Sequence, residues 1–157
     1  MIDFKQVLTG ENIYYGQANI NGIDCSIGYI KKFRWSWFGT QLKTFIIIGQ
    51  TEMKIDKNLI ENFSSSCHDY AIKHNKGLPR GLQSGVGSIA ILVGRDIGHE
   101  AVRFCQNPYK KHFGSFEVPV LCNLEKREVS KYLKTPVWGK VYFPFFTETI
   151  ERITNKF

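Results

Sequence analysis

The sequence predicts an α+β fold. It is one domain, 1–157, with a mixed, mostly antiparallel sheet and about three packed helices. Three observations carry this. Asn21-Gly22 lies between two β-like runs, the signature of a type I′ hairpin, whose two central residues both need positive φ. From Leu59 to Ala71, apolar residues recur at helical spacing. "SIAILVG" is a near-continuous apolar run, which suits a strand covered on both faces.

The elements follow in order. Strands are predicted from about Ile13 to Ile20 and from Ile23 into "YIKKFRW". "FGTQL" reads as a turn and "KTFIIIG" as a buried strand, so the N-terminal third is a β-meander. Asp56 is the N-cap of a helix whose apolar face is Leu59, Ile60, Phe63, Cys67, Tyr70 and Ala71. Gly77 is placed at C′, just past its end. Strand 86–93, helix 97–106 and strand 115–122 form one parallel crossover, and the rest reads as antiparallel. In helix 97–106, Ala101, Val102 and Cys105 face inward. Pro119 marks an edge or a bulge. A turn at about Leu124–Arg127 leads to a further strand, and "FPFFTETIERITNKF" closes the chain as a helix with Pro144 near its first turn. No repeat, low-complexity run or linker divides the chain.

The charge is +7, which favours an anionic partner: a phosphate ligand, nucleic acid or acidic protein. The excess is spread along the chain, at +1 over 1–56, +2 over 57–109 and +4 over 110–157, so there is no basic tail. The apolar runs "FIII" and "IAILV" fall far short of the roughly 18–20 residues of a membrane span. The first residues show no secretory signal pattern, and a cytoplasmic setting is expected. Cys25, Cys67, Cys105 and Cys122 show no CxxC pair, and they read as buried small hydrophobes.

The stretch "GLPRGLQSGVGSIAILVG" puts four glycines between Gly77 and Gly87. "GVGSIA" matches a loose dinucleotide pattern, but in an inverted context. A helix precedes the loop and a strand follows, so no helix N-terminus is offered to a phosphate. A P-loop is excluded as well, because Gly-Lys followed by Ser or Thr is absent. Two readings stay open. In one the glycines only shape a turn. In the other, Lys73, Lys76, Arg80, Gln83, Ser84 and Arg95 bind an anion, Arg80 through directed hydrogen bonds and the lysines through diffuse attraction.

"YIKKFRWSWF" interleaves aromatic and basic residues. As a strand it sets Tyr29, Phe33, Trp35 and Trp37 on one face with Lys31. Lys31, Arg34, Trp35 and Trp37 are therefore candidates for a nucleic-acid or protein-partner surface, with a sheet core as the competing reading. The aromatic segment around Trp138 either closes the core or forms a homodimer patch.

Enzyme signals are weak. Cys67, His68 and Asp69 are adjacent on a helix and point about 100° apart, so they cannot relay to one another. The histidines, His68, His74, His99 and His112, lack the paired spacing of a zinc site; no metal, cofactor or catalytic residue is assigned. The alternative to a binding module is a small hydrolase or metal-dependent nuclease around 110–117, using Lys111, His112 and Glu117. A second acid, Asp96, would lie at the opposite strand edge from Glu117. The reading preferred here is a small basic binding protein that recognises an anionic partner through residues 73–95.

Overall fold

The computed structural model describes residues 1–37, 39–77, 84–108, 110–134 and 141–157, with the backbone alone at 110 and 111. The predicted α+β class holds. A seven-stranded mixed sheet carries two helices on each face.

The chain begins with a helix that the sequence pattern did not predict, α1 (Phe4–Gly10). Asp3 caps it by accepting from the Gln6 N–H at 3.0 Å, and Phe4 and Leu8 are its buried residues. Two apolar contacts in seven residues are too few for a periodic signal. Strands β1 (Tyr14–Ile20) and β2 (Ile23–Arg34) form the predicted hairpin. Asn21 and Gly22 have φ of 53° and 81°, as a type I′ turn demands. The Asn21 amide also donates to Ser66 Oγ at 2.9 Å, which ties the hairpin tip to the second helix.

After a single 3₁₀ turn at Trp35–Trp37 comes β3 (Thr40–Gln50), antiparallel to β2. Helix α2 (Lys57–His74) starts at Asp56 as expected, with Oδ1 accepting from the Leu59 N–H at 2.8 Å. It ends at Asn75, so Gly77 lies two residues past the cap and not at C′. The φ of +101° at Gly77 serves the chain beyond the helix.

Strand β4 (Ser84–Gly94) is buried throughout and pairs in parallel with β3. This corrects the expectation that only 86–122 contains a parallel crossover. Eighteen helical residues span about 27 Å, enough to return the chain to the edge where β3 began. Helix α3 (His99–Gln106) then leads to the parallel partner of β4, β6 (Ser115–Asn123), which confirms the predicted crossover. Ala101 and Cys105 are buried as expected, whereas Val102 is only half-buried. Two short strands, β5 (Lys110–His112) and β7 (Glu128–Ser130), pair antiparallel with the outer side of β6. Pro119 falls in the gap between them. Helix α4 (Phe143–Thr154), with a proline in its first turn, closes the chain.

The order across the sheet is β1-β2-β3-β4-β6-β5. On one face, Ile46, Ile48, Ile89, Ile91 and Val120 pack against α1 and α4. On the other, Ile27, Phe45, Ile47, Ala90 and Leu92 pack against α2 and α3. Among the described residues no helix is long and apolar enough to cross a membrane.

Candidate functional site

The α2 face of the sheet is apolar along most of its length but polar at one edge. Side chains alternate along a strand, so Lys43 shares this face with Phe45 and Ile47. By the same alternation Ser84 and Ser88 share it with Val86 and Ala90, and Ser115 and Glu117 share it with Leu121. All five polar residues sit near the N-terminal ends of the parallel strands, and all are buried. The C-terminal half of α2 lies over them, since α2 runs back from the far end of β3. A core-facing row of charged and hydroxyl groups is unusual, because each group must find a partner out of reach of water.

Two pairs meet there. His68, from α2, has its Nε2 2.9 Å from Ser115 Oγ. His112, from β5, has its Nε2 3.0 Å from Glu117 Oε2. The two imidazole rings stack with centroids 4.2 Å apart. Glu117 is 2% exposed, and its other oxygen, Oε1, has no hydrogen-bond partner among the described residues. The His112 side chain is 41% exposed, so the cluster opens to solvent on that side. Cys67 lies close by, but burial, followed by the neighbouring Cys25 and Glu117, pushes its thiol well above the usual range. That leaves it inert as a nucleophile.

Lys43 forms the other half of the corner. Its Cα pairs with that of Val86, which pairs in turn with Ser115, two strand spacings or about 10 Å away. Lys43 is 1% exposed, yet its ammonium donates to a single acceptor among the described residues, the backbone carbonyl of Lys76. Burial, and then the like charge of Lys31 directly across the strand pair, pull the ammonium below the ordinary lysine range. Gly77 passes so close that a Cβ there would stand 3.0 Å from Lys43 Nζ. Ser84, one step diagonally from Lys43 on the same face, has a buried Oγ with no hydrogen-bond partner among the described residues.

The residues predicted from sequence are distributed unequally. Lys73 lies on the last turn of α2, Lys76 just beyond it, and Ser84 at the start of β4, all at the polar edge. Arg95 follows the other end of the eleven-residue strand β4, about 35 Å from Ser84, so it does not join them. Arg80 and Gln83 lie outside the described residues, as does Trp138. Asp96 sits at the edge away from Glu117, the separation expected from parallel pairing.

The aromatic strand is corrected. β2 stops at Arg34, and the 3₁₀ turn sends Trp35 and Trp37 in opposite directions. Trp37 is 1% exposed in the α4 core, with its indole N–H donating to the Val141 carbonyl at 2.8 Å. It is therefore not part of any surface. The Arg34 guanidinium lies 5.1 Å from the centre of the Trp37 ring. Trp35 remains outside, 84% exposed, edge-on to the exposed Phe33 and near the exposed Lys31 in sequence.

No family model matches the chain, and no curated protein or solved structure matches it either. Function must therefore be argued from the residues. At the opposite end of β6 a cavity of about 410 Å³ is lined by Cys122, Asn123, Leu124 and Arg127 among others. The Asn123 side chain there already accepts from the backbone N–H groups of Glu125 and Lys126, as the cap of a turn. The polar edge is thus the better candidate site. Sequence reasoning missed Lys43 and His68, whose importance arises only when β3, α2 and β6 are brought together.

Proposed function

We propose that this protein binds an anionic ligand, a phosphate-bearing molecule or nucleic acid, at the corner formed by Lys43, Ser84 and the chain around Lys73–Gly77. One observation carries the reading: Lys43 is a buried ammonium with one backbone acceptor and no carboxylate partner among the described residues. A lysine ammonium has three donors, and burying an uncompensated charge is costly. An anion would neutralise it and occupy the remaining donors. The unpartnered Ser84 hydroxyl supplies a further donor beside it. Lys73 and Lys76 add long-range attraction.

The test is the melting temperature of the purified protein with inorganic phosphate, nucleotides and short single-stranded or double-stranded oligonucleotides. One anionic class should raise it, by about 2–4 °C per kcal/mol for a domain of this size. Lys43→Met should abolish that rise and Arg95→Ala should preserve it. Without ligand, Lys43→Met should melt at the same temperature or higher, since a poorly paired buried charge is replaced by an apolar chain of similar length. An absence of any shift in the wild type, or an equal shift in Lys43→Met, would overturn the reading.

A further inference from the structure

We propose that His68, His112 and Glu117 bind a single divalent transition-metal ion, with zinc the best match to the donors. The inference stands apart from the anion reading, because none of the three residues is used there.

The three side chains converge from three elements: α2, β5 and β6. One ligand-capable atom from each lies within 4.8 Å of the others. Zinc binds imidazole nitrogen and carboxylate oxygen at about 2.0–2.2 Å, so tetrahedral ligands stand roughly 3.3 Å apart. His112 Nε2 and Glu117 Oε2 are already 3.0 Å apart. The third donor closes the site by up to about 1.5 Å, within the reach of side-chain torsions.

A second observation points to a ligand independently of the spacing. Glu117 is almost wholly buried and, among the described residues, only one of its oxygens is engaged, by His112. A buried carboxylate with an unpartnered oxygen is costly for the fold. A divalent cation would supply the missing partner and the missing charge. His68 Nε2 lies 2.9 Å from Ser115 Oγ, a contact that holds the imidazole in place against β6.

The donor set selects the ion. Two imidazoles and one carboxylate suit zinc and its neighbours, whereas magnesium and calcium prefer oxygen throughout. Three protein ligands leave one tetrahedral position for water or an external ligand, and the exposed side of His112 gives access to it. His68 and Glu117 are held in the packed interior. The two imidazoles stack at 4.2 Å and 24°, so the half-exposed His112 would turn to aim its ring nitrogen at the ion.

The experiment uses the full chain, stripped with chelator and titrated with Zn²⁺ by calorimetry. Co²⁺ is then loaded and its visible spectrum recorded. The expected result is one ion per chain, a raised melting temperature, and the intense visible bands of tetrahedral cobalt. His112→Ala and Glu117→Gln should each weaken binding at least tenfold and abolish the cobalt bands. His99→Ala, an exposed histidine outside the cluster, should change neither. His112→Ala removes a half-exposed side chain, so it should keep the fold, checked by its circular dichroism. Failure of the wild type to bind Zn²⁺ would overturn the proposal. So would equal affinity in wild type, His112→Ala and Glu117→Gln.

Discussion

Among the described residues of the polar edge, His112 and Glu117 form a close pair, with Nε2 and Oε2 3.0 Å apart. The relationship is asymmetric, since the histidine side chain is 41% exposed and the glutamate 2%. The imidazole therefore stands between a buried carboxylate and solvent. The two stand five positions apart in sequence, across the tight β5–β6 hairpin.

That asymmetry sets the first prediction. In metal-free protein His112→Ala removes the only described partner of Glu117, and the cost is about 1–2 kcal/mol because water gains partial access. Adding Glu117→Gln to His112→Ala should recover most of that loss, since the uncompensated charge is gone. Urea unfolding of the wild type, the two single variants and the double variant gives the coupling directly.

A second prediction concerns alkaline pH. Burial pushes the thiols of Cys25 and Cys122 up from 9.0 to about 12, and raises those of Cys67 and Cys105 as well. A raised folded-state pKa means that the native protein keeps a proton the unfolded chain loses. The stabilisation is complete below pH 9 and declines as pH rises from 9 toward the folded values. Each thiol lowers the stability by up to about 1.4 kcal/mol per pH unit in that window. Urea midpoints at pH 8, 9 and 10 should fall with increasing steepness. The same burial predicts four thiols unreactive to a disulfide reagent in native protein and four reactive in urea.

The third prediction separates two tryptophans that lie two residues apart. Trp37→Ala should cost about 3–5 kcal/mol, because it empties a core position and leaves the Val141 carbonyl without its indole donor. Trp35→Ala should stay within about 0.5 kcal/mol, because that ring lies outside the core. Chemical denaturation of both variants decides it. If the stretch were instead a regular strand with both rings on one face, the two losses would be similar.

The local elements were legible in the sequence. The Asn21-Gly22 turn, the Asp56 cap and the buried strand predicted at 86–93 each depend on interactions within a few residues, and those interactions leave a pattern in the chain. Helix α1 left only its cap residue Asp3, too little by itself, because its stability comes from Phe4 and Leu8 docking on a sheet made by later residues. Trp37 defied the alternation of its neighbours for a similar reason. A turn at Arg34 broke the period of two, and a distant carbonyl at Val141 offered the indole a partner.

By itself, then, the sequence determined one α+β domain, its hairpin, its long capped helix, its 86–122 crossover and its buried cysteines. Only the tertiary structure decided that β3 and β4 run parallel, and the site follows from that decision. The pairing sets Lys43, Ser84, Ser115 and Glu117 along one edge, and the return of α2 lays His68 over it. His68, His112 and Glu117 are separated by 44 and five positions in the chain, too irregularly for any spacing rule. Burial decided the rest. In the sequence Lys43 carries no signal, and Glu117 stands out only as part of the alternative 110–117 site; both become chemically distinctive where the fold takes water away from them.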